Sequence, residues 1–305
     1  MILSCGEAVI DMLPAPTPDP ENKHFPVSGG AALNSAIALA RLGQSVGFFG
    51  GLSTDHFGEF LVTAMQAEGI DTSHNTPVDD ATTLAIVELV DGSPQFSFRN
   101  ADGAGRSLSP AQLPNLTGVN ALIFGGLSLI HRPAAGAFEA LMQMAGPERL
   151  ILLDANIRPA LIDEEEGNYR KRLTRMIAMA DIVKLSDEDI DWLQPDPPKQ
   201  LLQGRVALVV HTHGPNGATI YSRYGAQHLP ASPVEVADTV GAGDTFNAGL
   251  LASLATQNLL NPPALASADN AQLTRAAAYG IRAATFSVTR LGANPPTTKE
   301  LSCAP

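Results

Sequence analysis

The sequence predicts an α/β protein built on a mostly parallel central sheet flanked by helices. Apolar runs of strand length alternate along the chain with segments of helical period, the β-α-β rhythm of such folds. Several runs, such as Ile151-Leu-Leu-Asp154 and Val206-Ala-Leu-Val-Val210, are apolar on both faces, as expected of strands covered by helices on both sides. Two helical segments are closed by a glycine, the usual left-handed terminator.

In chain order, strands are expected at 1–10, 46–50, 121–124, 150–154, 181–185 and 206–212. Helices are expected over 31–42, closed by Gly43, over 58–68, closed by Gly69, and over 166–180. One stretch breaks the rhythm. Thr83 to Val90, then Asp-Gly-Ser-Pro, then Gln95 to Arg99 reads as a β-hairpin. It forms either a small accessory sheet, acting as a lid, or an antiparallel pair on the edge of the main sheet. Pro14, Pro16, Pro18 and Pro20 mark an extended loop. The acidic run near 165 and the Pro-rich run near 197 read as solvated segments. No internal repeat is evident.

Composition narrows the function. The 305 residues are 45% hydrophobic, enough for a substantial core. The net charge of −12 disfavours nucleic acid and anionic membrane surfaces, which need cations facing phosphates. No apolar run approaches the ~18 residues of a membrane span. Cys5 and Cys303, at opposite ends, make neither a disulfide framework nor a zinc ribbon. With an N-terminal segment that lacks a basic leader and reads as a strand, this leads to the expectation of a cytoplasmic protein.

The chemistry concentrates in Asp238-Thr-Val-Gly241-Ala242-Gly243-Asp244-Thr-Phe246. Phe246, Leu250 and Leu254 follow at helical spacing, so a small-residue turn opens directly into a helix. Uncovered N–H groups and the positive end of the helix dipole make such a turn an anion site. Asp244 in the first turn is either a plain helix-start carboxylate or a base beside a bound phosphate. Other phosphate motifs fail: no Gly-Lys dipeptide exists for a Walker A loop, and Gly241-x-Gly243-x-x-Phe246 lacks the third glycine of the dinucleotide fingerprint.

Gly29-Gly-Ala-Ala-Leu-Asn34-Ser-Ala-Ile-Ala-Leu-Ala-Arg-Leu-Gly43 and the 238–246 segment resemble, in order and separation, the two signature segments of the ribokinase-like (PfkB) carbohydrate kinases. The resemblance runs from Gly6 to about Pro296. It implies a single ribokinase-like α/β domain over 1–305, doubly wound, with a small β-sheet lid from about 12–28 and 83–102. It implies ATP- and Mg²⁺-dependent phosphoryl transfer to a monosaccharide hydroxyl. By the same resemblance, Asp244 is the catalytic base, and the amides of Gly241, Ala242 and Gly243 form the anion hole.

Further matches assign the remaining candidates. Asp11 matches the carboxylate ending the first strand, and Gly29, Gly30 and Asn34 match the sugar-contacting turn. Asp154-Ala-Asn156-Ile-Arg158 resembles the D-x-N-x-R segment of fructokinases and 2-keto-3-deoxygluconate kinases, and Phe98-Arg99 their lid pair. Asn156, Arg158 and Arg99 are therefore expected on the sugar. Ser186-x-x-Asp189 falls where the family orients metal-bound water, although Glu is usual at 189. Thr212, Gly214 and Gly217 resemble the nucleotide loop, and Asn294 the segment beside adenine, near which some members hold a monovalent cation such as K⁺. His211 and His213 share a strand face, but two histidines need a third ligand to hold zinc.

The expected activity is that of a fructokinase. A 2-keto-3-deoxygluconate kinase, or a catalytically silent sugar- or nucleotide-binding regulator, is the alternative. A homodimer through the lid is expected from the exposed hairpin.

Overall fold

The computed structural model describes residues 1–14, 24–90, 93–162, 166–193 and 198–303. The prolines at 16, 18 and 20, the lid residues 15–23 and 91–92, and the runs at 163–165 and 194–197 lie outside the described residues.

In chain order the strands are β1 Ile2–Cys5, β2 Val9–Pro14, β3 His24–Gly29, β4 Val46–Phe49, β5 Gly51–Ser53, β6 Thr76–Val78, β7 Leu84–Val90, β8 Ser93–Arg99, β9 Ala121–Gly125, β10 Leu150–Asp154, β11 Ile182–Ser186, β12 Leu208–Thr212, β13 Ala218–Ser222 and β14 Gly225–Leu229. The helices used below are α1 Ala31–Arg41, α2 His56–Ala67, α3 Ala134–Ala145, α4 Glu166–Met179, α5 Asp187–Leu193, α6 Ala242–Thr256, α7 Pro262–Ser267 and α8 Asn270–Ser287.

The main sheet has the order β14-β13-β12-β11-β10-β9-β1-β4. From β4 to β12 every pairing is parallel, and β13 and β14 extend the edge antiparallel. These parallel strands are apolar on both faces because each face meets helices. Ile2, Phe48, Ile123, Leu152 and Val210 pack toward α1, α6 and α8. Leu3, Phe49, Leu122, Leu153 and Val209 pack toward α3 and α4. The chain winds from β1 to β4 in one direction and then resumes at β9 on the other side of β1. Ligands of open α/β sheets bind at such a reversal, outside the carboxyl ends of the strands.

The hairpin of β7 and β8 does not join the main sheet. It forms a second sheet of order β3-β2-β7-β8, so the first of the two sequence alternatives holds. The expected strand over 1–10 is two strands. The chain splits at Gly6, which passes so close to Ala32 and Ser128 that a side chain would not fit, and Val9–Pro14 enters the small sheet. Asp11 therefore stands on the small sheet rather than at the end of the first main-sheet strand.

Helix α6 is buried from Asp244 through Leu254, apolar around most of its circumference. It crosses α8 at Gly249 and Gly280, where a methyl group on either would press into the opposite backbone. Gly43 and Gly69 follow α1 and α2 at φ +78° and +74°, as the sequence led one to expect. No described helix is long and apolar enough to cross a membrane.

Candidate active site

A cleft of about 590 Å³ opens between the small sheet and the carboxyl ends of β1, β9 and β10. Its far wall is the turn that starts α6. Glu7, Asp11, Gly30, Asn34, Phe98, Asn156, Arg158, Lys184, Gly241, Ala242, Gly243 and Asp244 all face it. Residues of motifs far apart in the chain, Asp11, Asn34, Asn156 and Asp244 among them, thus meet in one place.

Gly241 caps α6 in the left-handed conformation, φ 73° and ψ 5°, which a Cβ would disfavour. The N–H of Ala242 donates to the Thr239 carbonyl (3.2 Å). The N–H groups of Gly241 and Gly243 have no partner among the described residues and sit at the positive end of a fifteen-residue helix. Asp238 braces the turn by accepting from the N–H of Val240 (3.0 Å) and of Gly292 (2.9 Å).

Asp244 is 7% exposed, yet its carboxyl faces the cleft rather than the core. Asn34 Nδ2 donates to its Oδ2 (2.9 Å). Burial pushes the Asp244 carboxyl up to about 6, against the Asn34 bond that lowers it. Asn34 is thus a positioning partner of the carboxylate in addition to lining the cleft.

Beneath the turn lies a buried ion pair absent from the expected site. Lys184 Nζ is 3.2 Å from Asp154 Oδ1, with both side chains about 5% exposed. Asn247 Nδ2 donates to Asp154 Oδ2 (2.6 Å). Burial raises the Asp154 carboxyl, while Asp154, Asp189 and Asp244 together hold Lys184 protonated despite its own burial. The ammonium lies so near Gly243 that a Cβ there would stand 3.3 Å from it. A fixed positive charge thus underlies the turn that starts α6.

At the other end, the Asp11 carboxyl is raised to about 6 by burial. It occupies the space a side chain at Gly29 would need, so Gly29 serves the site by its absence of bulk. Gly30, at φ +100°, caps α1 with its Cα against the Glu7 carbonyl. Asn156 adopts φ 39° at the lip.

Other sequence-predicted residues fall elsewhere. Arg99 is exposed and does not line the cleft, because strand alternation turns its neighbour Phe98 inward instead. Asp189 is buried with both oxygens occupied. Oδ1 accepts from the Ile157 N–H (2.6 Å), and Oδ2 accepts from the N–H and Oγ of Ser186 (2.7 and 2.9 Å). Through these bonds it ties the β10 and β11 loops together. Thr212 Oγ1 donates to the Leu185 carbonyl (3.3 Å), and Gly217 is required because a side chain would collide with Leu229. Gly214, in the loop between them, has open space where a side chain would stand. Asn294 is exposed, and its Oδ1 accepts from Arg41 (2.8 Å). None of these last four lines the cleft.

Glu7 was missed by sequence reasoning. It is 8% exposed, its Oε1 has no hydrogen-bond partner, and burial pushes its carboxyl from an ordinary 4.5 to about 7. The folded protein therefore prefers it neutral. Its stability contribution is intact below pH 4.5 and is lost as pH rises through about 7. Glu7→Gln should stabilise the protein by up to about 3 kcal/mol at pH 8 and by nothing at pH 4. Urea denaturation at the two pH values checks this.

A buried carboxylate at the start of a helix, two unpartnered amides and an ammonium beneath them define a group-transfer site of the phosphotransferase class. The profile of the pfkB family carbohydrate kinases matches residues 1–300. The chain belongs to that family. It is 43% identical over 279 residues to a fructokinase of Rhizobium leguminosarum bv. trifolii, covering 90% of this chain and 85% of that one. The crystal structure of a Xylella fastidiosa fructokinase with bound ATP superposes with a TM-score of 0.89 at 29% identity, covering 99% and 96% of the two chains. The fructokinase of Vibrio cholerae O395 in a form with fructose, ADP and calcium ion superposes at 0.80 and 26% identity, covering 99% and 97%.

Proposed function

We propose that the chain is a fructokinase that transfers the γ-phosphoryl group of ATP to a hydroxyl of fructose. One observation carries the reading: the Asp244 carboxyl, the free amides of Gly241 and Gly243, and Asp11 on the small sheet face the same cleft. The similarity to the Rhizobium fructokinase supports the sugar.

Asp11, with Asn156 and Arg158, binds the sugar hydroxyls. Asp244 accepts the proton of the attacking hydroxyl, held in place by Asn34. The two amides and Lys184 stabilise charge on the transferring group. A Mg²⁺ ion arriving on the nucleotide would neutralise phosphate charge. It would be held chiefly by phosphates and water, and Asp189 remains proposed as a partner of metal-bound water. Thr212, Gly214 and Asn294 remain proposed as nucleotide contacts, and K⁺ dependence as a property to measure. The small sheet covers the sugar as a lid, and closure limits wasteful hydrolysis.

A coupled ADP-release assay across a panel of sugars tests this. Fructose should give the highest kcat/KM, with little ADP formed when no sugar is present. Preference for 2-keto-3-deoxygluconate would replace fructose. Of the cationic side chains on the cleft, Lys184 is already paired with Asp154, which leaves Arg158 for that substrate's carboxylate. Absence of transfer to any sugar would leave the silent-regulator reading.

The small sheet ends in two edge strands, β3 and β8, with Phe25 of β3 40% exposed. A homodimer paired there is expected to run at twice the chain mass in light scattering at micromolar concentration, and a monomer would reject it.

A further inference from the structure

The parallel pairing of β11 with β12 sets Leu185 opposite His211 and Ser186 opposite Thr212. It thereby brings Asp187, the first residue after β11, beside two histidines at alternate positions of β12 and its extension. His211 Nε2 lies 2.7 Å and His213 Nδ1 2.9 Å from the same oxygen, Asp187 Oδ1. The two imidazole centroids are 4.0 Å apart, and the three donor atoms fall within 4.8 Å of one another. The third ligand that a pair of histidines lacks is therefore in place.

We propose that Asp187, His211 and His213 form a binding site for one first-row transition cation of the Zn²⁺ class, separate from the cation that accompanies the nucleotide. Two borderline imidazole nitrogens beside one hard carboxylate oxygen favour Zn²⁺, Ni²⁺ or Cu²⁺ over Mg²⁺. Three protein ligands leave a position for water or another donor, the open form of a zinc site. The second layer is built as such sites require. The remaining ring nitrogen of His213, Nε2, is 2.9 Å from Thr219 Oγ1, which is itself 3.3 Å from His228 Nδ1. A bond at Nε2 fixes the ring and presents Nδ1 as the ligand atom. The histidine side chains are 14% and 22% exposed and that of Asp187 58%, so the donors are held yet reachable from solvent.

The placement gives the site a consequence. Thr212, between the two histidines, points to the opposite face of β12, and Gly214 follows directly. A cation held by residues 211 and 213 anchors the backbone that enters the loop 214–217.

The test uses the full chain, free of any histidine tag and stripped with a chelator. Zn²⁺ is titrated by calorimetry, and Co²⁺ by its visible absorption. About one equivalent should bind saturably, excess Mg²⁺ should not displace it, and the melting temperature should rise with free Zn²⁺ as binding to the native state requires. His211→Asn and Asp187→Asn should abolish saturable binding, whereas Thr219→Val should weaken it by about tenfold. Circular dichroism of each variant reports that it is folded. Unsaturable binding, or the same stoichiometry and affinity in His211→Asn, overturns the site. So does an outcome in which wild type binds no Zn²⁺ and the cluster only exchanges protons with Asp187. Kinase activity enters none of these readouts, so the fructokinase reading stands or falls separately.

Discussion

Asp244→Asn is expected to lower turnover by about 10²–10⁴-fold while leaving ATP binding largely unchanged. The amide is isosteric, and its carbonyl oxygen can still accept from Asn34, so the α6 turn keeps its shape. What it cannot do is take a proton. The wild-type rate should carry the corresponding signature. Asp244 acts as a base only when ionised and burial holds its carboxyl at about 6, so kcat/KM should fall as pH drops through about 6. In the variant that acid limb should vanish from the residual rate. Stability moves the other way. A carboxyl raised from 3.8 to about 6 costs the folded state stability as pH rises through that window, so Asp244→Asn should be more stable than wild type at pH 8, by up to about 3 kcal/mol. A variant that is both more stable and nearly inactive separates lost chemistry from lost folding. Near-normal turnover would remove Asp244 from the mechanism.

Lys184→Met should be the most destabilising single change at the site. It leaves Asp154 buried without its ion-pair partner, with Asp189 and Asp244 nearby. Removing one member of a buried pair typically costs about 3–5 kcal/mol. Adding Asp154→Asn removes the stranded charge and should restore most of that loss in urea denaturation at pH 7. The double variant should stay slow, because the ammonium beneath Gly243 is still missing. A cost below about 1 kcal/mol for the single change would show that the pair is not a buried charge pair. Recovery of both stability and turnover in the double variant would confine Lys184 to a structural role.

The parts legible in the sequence were those in which local pattern and final contact coincide. The small-residue turn at 241–243 runs straight into a segment of helical period, and the runs apolar on both faces are bounded like covered strands. The accessory hairpin declared itself by breaking the β-α-β rhythm. Contacts made at long range were harder. Asp154 reads as the start of the Asp-x-Asn-x-Arg segment and Lys184 as a polar residue in an apolar run, and only the β10–β11 pairing brings them to 3.2 Å. Glu7 looked like strand interior until the chain was seen to leave the main sheet at Gly6. Arg99 was misplaced by one step of strand parity, which no motif records. Asp189 is a different case: the motif shows its position, but only the structure shows its carboxylate accepting from the N–H groups of Ile157 and Ser186.

The division of the cleft between two bodies has a bearing on how such a protein changes over time. The phosphate end rests on α6, locked against α8 by two glycines that tolerate no added bulk, while Asp11 and Phe98 belong to a four-stranded ribbon assembled apart from it. A substitution at Asp11 or Phe98 therefore alters one wall of the cleft and leaves the α6–α8 contact as it is, so the two walls are open to change independently.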